Sequence, residues 1–377
     1  MGIRLALVCG GTAGHINPAL AVAGEIRRML PDSALLFIGA GRSMENRLVP
    51  AEGYDIVNIK VSGLHRSFSP RSMVKNAAAL RDMVTASVEA ERLLRQFKPD
   101  AVLGTGGYVC YPVLRRAHKL RIPTLIHESN ALPGLATRLL SGDADRILTA
   151  FSDDGGVYKN PEKVTVVGTP VRAGFGTGTP ARTRRGAGES GEGRLLVSFW
   201  GSLGAERMNE IMAEFIEINA RTRAFRHIHA AGGGERGRLE LLESLRGMGV
   251  ERLPDGIEVR EYIDDMASVM ARADLTLCRA GASTLAELAV SGAPALLVPS
   301  PYVPNNHQEA NARRLSGTGA ARFIAERGCT GRALYDAAAA LLSDGDALES
   351  MSRAMYALAK PDAARRIAET IVSMCRN

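Results

Sequence analysis

Two residues stand where side-chain chemistry meets an exposed backbone. His15 lies in "CGGTAGHINP" (Cys9–Pro18), after two glycines and at the start of an amphipathic run. An imidazole titrates near neutral pH, and its small neighbours leave this one uncovered. The positive end of a helix favours the neutral form that a general base needs. The position equally suits a helix cap or a packed surface side chain. Glu287 lies in "RAGASTLAELAVSGAP" (Arg279–Pro294), one turn beyond Gly281, Ala282, Ser283 and Thr284. Small residues and two hydroxyls ahead of a helix make a cradle for a diphosphate. A carboxylate just beyond can accept two hydrogen bonds from the vicinal hydroxyls of a ribose, or it can simply complement the helix dipole.

A third glycine-rich turn, "SFWGSLGAERMN", opens the second half of the chain. "GGTAGH" fits neither the G-x-G-x-x-G dinucleotide fingerprint nor the G-K-[ST] ending of a Walker loop, so a NAD enzyme and an ATPase both lose ground. Two Asp-x-Asp pairs, Asp143–Asp145 and Asp344–Asp346, are poorly placed to hold a metal. The first precedes a strand instead of following one, and the second sits in a turn between helices. Five cysteines without C-x-x-C spacing suggest neither zinc nor disulfides, and Cys9 and Cys278 read as buried thiols.

The elements that must carry these residues alternate along the whole chain. "IRLALVC", "ALLFIGA", "YDIVNI", "AVLGTG", "PTLIHE", "RILTAF" and "VTVVG" are spaced by helical periods such as Pro18–Leu30 and Met73–Phe97. The pattern restarts with "RLLVSFW", "RHIHAAG", "IEVREYI", "LTLCRAG" and "PALLVPS". Continuous apolar strands indicate parallel sheets covered on both faces, so the fold class is α/β, built twice. The length of 377 residues suits two domains. We place them at 1–173 and 194–360, with a solvated linker at 174–193 and a final helix, 361–377, packing back on the first domain. No apolar stretch is long enough to span a membrane and the N-terminus lacks a signal-peptide pattern, so the expected location is cytosolic.

The net charge of +7 is one-sided: residues 1–172 hold 22 Lys/Arg against 15 Asp/Glu. That asymmetry argues for one domain facing something anionic and against uniform nucleic-acid binding. Leu64, Phe68, Met73 and Val74 alternate with Arg66, Arg71 and Lys75, and "RRAHKLR" (Arg115–Arg121) adds a second basic cluster. Apolar wedges among cations suit anionic headgroups; the alternative is an ordinary core helix with a solvated basic face.

Three separated segments, "GGTAGHINPALAVA", "GTGGYVCYP…IPTLIHESNALPGLATRLLS" and "CRAGASTLAELAVSGAPALLVPSPYVPNNHQEANARRL", closely resemble the MurG family, with "EYIDDMASVMARADL" and "VVGTPVR" fitting in the same order. These are bacterial glycosyltransferases of family 28, which move N-acetylglucosamine from UDP-N-acetylglucosamine to undecaprenyl-diphospho-muramoylpentapeptide in peptidoglycan synthesis. The resemblance covers essentially the whole chain. It implies the GT-B architecture of two Rossmann-like domains facing each other across a cleft, an inverting transfer, and neither cofactor nor metal. Ile263 would then contact uracil, partly through its backbone, and Glu287 the ribose. The diphosphate would meet the segment Ala282, Ser283, Thr284, Leu285, Ala286, and the sugar would meet Gln308. Ser202, Arg172, Thr12, Ala13, Gly14 and Asn130 match further donor-contacting positions. His15, Tyr108 and Glu128 match acceptor-side positions, with His15 the favoured base. Implied partners are both substrates, anionic lipids and other cell-wall synthesis proteins, at the cytoplasmic face of the inner membrane.

The chain departs from the family at Ala13, at Trp200 and Leu203 of the second glycine turn, at Thr169, and at Cys110-Tyr111 in place of Ser-Gly. Two other readings remain open at this point: a UDP-sugar 2-epimerase of similar architecture, and a non-catalytic UDP-sugar sensor or scaffold.

Overall fold

The computed structural model describes residues 2–41, 43–61, 70–153, 156–172, 174–175, 193–201 and 204–376, with the backbone alone for 43, 70–81 and 304. The chain divides into two units, Met1–Ala173 with Lys360–Asn377, and Gly174–Ala359.

The first unit runs β1 (Arg4–Cys9), α1 (Ala13–Met29), β2 (Ala34–Gly39), α2 (Ser43–Ala51), β3 (Asp55–Asn58), α3 (Pro70–Phe97), β4 (Ala101–Gly106), α4 (Cys110–Lys119), β5 (Thr124–Glu128), α5 (Leu135–Leu140), β6 (Arg146–Thr149) and β7 (Val164–Val166). Its seven strands are parallel, in the order β3-β2-β1-β4-β5-β6-β7. Side chains on β1 alternate between two cores, which is why its sequence is apolar without a break. Leu5, Leu7 and Cys9 pack with Ile16, Val22 and Ile26 of α1. Ala6 and Val8 point the other way, toward Ala86, Ala90 and Leu94 of α3 and Val113 of α4.

The second unit runs β8 (Leu195–Phe199), α6 (Glu206–Thr222), β9 (Arg226–Ala230), α7 (Gly234–Gly247), β10 (Ile257–Arg260), α8 (Met266–Arg272), β11 (Leu275–Cys278), α9 (Ala282–Ser291), β12 (Ala295–Leu297), α10 (His307–Gly317), β13 (Ala321–Phe323), α11 (Gly331–Ser343) and α12 (Gly345–Ala357). Six parallel strands take the order β10-β9-β8-β11-β12-β13. An aromatic group of Phe215, Phe225 and Tyr335 joins α6 and α11 under this sheet. The last helix, α13 (Ala363–Arg376), belongs to the first unit. Its Ile367, Ile371 and Val372 join the core of β1 and α1, each burial worth roughly 1.5–3 kcal/mol.

The α/β class and the two parallel sheets agree with the sequence reading. One strand escaped it: β13 is only "ARF" with an exposed Arg322 at its centre, too short and too polar to register. No helix among the described residues is long and apolar enough to cross a membrane. Most of the expected linker, 176–192, lies outside the described residues, as do Leu64, Arg66 and Phe68 and the side chains of Arg71, Met73, Val74 and Lys75.

Candidate active site

Each sheet reverses its strand order once, between β1 and β4 in the first unit and between β8 and β11 in the second. Ligands of open α/β sheets bind at the carboxyl ends of strands at such a point. A glycine-containing turn leaves each of these four strands.

In the first unit, Gly10, Gly11 and Thr12 link β1 to α1, while Gly106 and Gly107 end β4. The second pair packs directly on the first turn, Gly107 on Gly10 and Gly106 on His15. A Cβ on Gly107 (φ 93°) would stand 2.6 Å from the Gly10 carbonyl oxygen, and one on Gly106 (φ 129°) 2.3 Å from His15 Cδ2. Both positions therefore require glycine. A register shift between Val8 and Cys9 turns the end of β4, and Thr105 donates its hydroxyl to the His15 carbonyl at 2.7 Å. Buried Glu45 accepts from the N–H groups of Ala40 (3.1 Å) and Gly11 (3.4 Å), holding the turn from below.

His15 is the third residue of α1 and half-buried. Its Nδ1 lies 3.0 Å from the Gly10 carbonyl oxygen and 3.4 Å from Thr12 Oγ1. A carbonyl only accepts, so Nδ1 carries the proton toward it and Nε2 keeps its lone pair. The Thr12 side chain makes no cap bond to α1. Ala13 is an ordinary first helical residue, so replacing the family's glycine there strains nothing. Cys110 likewise stands in for a serine: its thiol donates to the carbonyls of Val8 (3.3 Å) and Gly106 (3.2 Å), and burial raises its pKa to about 12.

Glu128 ends β5 with 6% exposure, and four donors surround its carboxylate. Oε1 accepts from Asn130 N (3.0 Å) and Nδ2 (3.1 Å). Oε2 accepts from Gly134 N (3.0 Å) and Thr137 Oγ1 (2.7 Å). It organises the loop that presents Asn130, and its lone pairs are engaged there. Next to it, His127 donates through Nε2 to the Gly168 carbonyl (2.9 Å), and burial lowers its pKa. Tyr108 is exposed at the end of the β4 turn, and Arg172 is half-buried where the first unit's chain leaves β7.

In the second unit, Gly201 and Gly204 (φ 91° and 71°) turn the chain out of β8. A Cβ on Gly204 would come within 2.6 Å of the Ala231 carbonyl oxygen. Ser202 and Leu203, between them, lie outside the described residues. Beside this turn, α9 begins at Gly281 with no side-chain cap and no acidic residue in its first turn. Ala282, Ser283 and Thr284 are half-buried there, and Leu285 is buried behind them. An uncapped, uncompensated helix start attracts an anion.

Glu287 is the sixth residue of α9 and 6% exposed. It lies beyond the first turn, where complementing the dipole fades, so that bland reading loses its basis. Its charge adds to burial in raising the pKa of the Cys278 thiol. The Ile263 side chain is buried, leaving its backbone for any contact with a ligand. Gln308 accepts through Oε1 from Ser300 N (2.8 Å), so its amide nitrogen is the group that can meet a hydroxyl. Three side-chain arrangements nearby were not singled out by the sequence reading. Asn311 Nδ2 donates to the Ala280 carbonyl (3.1 Å). Arg279 pairs with Glu326 (2.6 Å). Deeper in the sheet, Ser198 Oγ bridges His227 Nε2 and His229 Nδ1, both at 2.7 Å.

Three of the four Asp-x-Asp carboxylates have local work. Asp145 accepts from Thr124 N and Oγ1, Asp143 pairs with Arg115, and Asp344 caps α12. All five cysteines are free thiols.

The chain is 39% identical over 368 residues, covering 98% of itself and 97% of its relative, to a protein of Acetivibrio thermocellus. That relative is named UDP-N-acetylglucosamine–N-acetylmuramyl-(pentapeptide) pyrophosphoryl-undecaprenol N-acetylglucosamine transferase. The crystal structure of Acinetobacter baumannii MurG superposes with a TM-score of 0.78 at 27% identity, covering 98% of this chain and 99% of that one. A UDP-GlcNAc 2-epimerase of Neisseria meningitidis, bound to UDP-GlcNAc, superposes with a TM-score of 0.65 at 13% identity over 98% of this chain and 100% of its own. At that identity the likeness concerns the fold alone. The sequence models of the Glycosyltransferase family 28 N-terminal and C-terminal domains match residues 5–149 and 195–367, the first within the first unit and the second covering most of the second unit and the start of the last helix. By both halves, the chain belongs to glycosyltransferase family 28.

Proposed function

We infer that this chain transfers N-acetylglucosamine from UDP-N-acetylglucosamine to the muramoyl C4 hydroxyl of undecaprenyl-diphosphate-linked pentapeptide. The observation that carries the chemistry is His15 Nδ1 on the Gly10 carbonyl (3.0 Å), which leaves Nε2 as a proton acceptor. Nε2 takes the proton of the C4 hydroxyl. The oxygen attacks the anomeric carbon on the face opposite the diphosphate, and the C1–O bond breaks with its electron pair leaving on UDP. One such displacement inverts the configuration. The first-turn N–H groups of α9, with the Ser283 and Thr284 hydroxyls, stabilise the departing diphosphate. Glu287 holds the ribose, the Ile263 backbone the uracil, and the Gln308 amide the sugar. Thr12, Ala13, Gly14, Asn130, Arg172 and Ser202 complete the donor contacts, and Tyr108 stands on the acceptor side. Glu128 serves by shaping the Asn130 loop.

The acceptor is a lipid, so the first unit works against an anionic membrane surface as a peripheral protein at the cytoplasmic face of the inner membrane. Supporting this, Leu132, Leu135 and Leu139 are exposed with Arg138 around α5, and α4 beside it carries exposed Arg115 and Lys119. Apolar side chains flanked by cations suit such a surface.

Product analysis tests the reading. With both substrates, UDP release should match formation of a β-1,4-linked disaccharide on the lipid. UDP-N-acetylmannosamine formed without acceptor would instead make the chain an epimerase, and UDP binding with no turnover would make it a sensor.

A further inference from the structure

A cation two residues ahead of a diphosphate cradle invites the reading that it grips phosphate. Arg279 does not fit that role. Its Nη1 lies 2.6 Å from Glu326 Oε2 and 3.0 Å from the Val298 carbonyl oxygen. The side chains of the pair are 11% and 4% exposed, and the guanidinium stands over the Trp200 ring, 5.7 Å from its centroid. The charge is balanced inside the protein.

The position of those partners is informative. Arg279 follows β11, Val298 follows β12, Glu326 follows β13, and Trp200 follows β8. One side chain thus ties the segment leaving β11 to those leaving three other strands at their carboxyl ends, the side where ligands bind. From the other direction, buried Asn311 on α10 holds the Ala280 carbonyl. The turn 279–281 is pinned at both sides, and it decides where the first N–H groups of α9 point. A buried ion pair is weak evidence for stability, because an apolar pair of similar volume often holds a fold as well. What the apolar pair lacks is direction.

We propose that Arg279, oriented by Glu326, is a positioning residue for the diphosphate-binding start of α9, setting donor affinity without touching the donor. This rests on the donor reading above. The same N–H groups bind the diphosphate and stabilise it as it departs, so KM for the nucleotide-sugar rises and kcat falls with it, while the acceptor KM holds.

The test compares UDP affinity by titration calorimetry, melting temperature and steady-state constants in Arg279→Met, Arg279→Met/Glu326→Leu and Arg279→Lys. The single Arg279→Met leaves Glu326 buried and unpaired, so its Tm falls by about 10 °C. The double variant regains most of that Tm, yet both bind UDP about tenfold more weakly. Arg279→Lys keeps a charge for Glu326 but loses the planar guanidinium that stands over the Trp200 ring; it melts near wild type with UDP affinity down about fivefold. Recovery of UDP affinity together with Tm in the double variant, or unchanged affinity in Arg279→Lys, overturns the proposal and leaves the donor reading standing. Wild type that does not bind UDP overturns the donor reading and this proposal with it.

Discussion

The third residue of α1 is His15 and the third residue of α9 is Thr284. Both helices leave a strand at the reversal point of a parallel sheet, after a glycine turn, without a side-chain cap. One turn carries an imidazole packed on glycine, with its Nδ1 tied down. The other carries hydroxyls, a buried carboxylate one turn on, and an ion pair behind it. The architecture repeats, and the chemistry is set by a few side chains in the first two turns. The histidines sharpen the contrast. His15 is half-buried at the glycine turn after β1, while His227 and His229 of the second unit are fully buried and bridged by Ser198. Residue type alone would not separate a base from a core residue.

Among the supporting positions, the largest effect should come from Gly106→Ala. A methyl there meets the His15 ring, and φ 129° is foreign to alanine. Displacing the imidazole should lower kcat by about 100-fold with UDP affinity intact, read by steady-state kinetics and calorimetry. Equal losses in both quantities would erase the difference between the two turns. Glu128→Gln should act more mildly, because the amide nitrogen would face donors in the Asn130 loop. We expect a kcat loss of about tenfold and no shift in the pH–rate profile. A shifted profile would make Glu128 a proton carrier.

The smallest effect concerns stability in acid. Burial holds His227 well below its ordinary pKa and lowers that of His229 to about 3. The unfolded chain takes up these protons from about pH 6.5 downward and the folded unit does not. Stability is therefore intact above about pH 6.5 and is lost progressively as pH falls toward 3. At pH 5, His229 alone should account for about 2 kcal/mol, measured by denaturant unfolding at pH 7 and pH 5. Equal stability at both would show that the pair is charged or hydrated in the fold.

Much of this was legible before any coordinates. Unbroken apolar strands such as "LALVC" announced sheets covered on both faces, and glycine followed by His15 or by Ser283-Thr284 marked the strand-to-helix turns from which the proposed site is built. The supports were not legible, because their partners are remote in the chain. Glu45 reaches back to Gly11, and Arg279 reaches forward to Glu326. An arginine closing the apolar run "LTLCRAG" hints at burial without naming a partner. Glu128 showed a second limit. Its type suits an acid or base, but the loop at 130–137 wraps four donors around it.

The division of labour between the two turns is tested most directly by single-turnover transfer titrated with UDP-N-acetylglucosamine, run on His15→Ala and Glu287→Gln. His15→Ala should slow the chemical step by at least 100-fold with donor Kd within twofold of wild type. Glu287→Gln should raise donor Kd about tenfold or more with the saturated rate nearly unchanged. A His15→Ala enzyme that transfers sugar at the wild-type rate, or a Glu287→Gln enzyme with undiminished donor affinity, would contradict it.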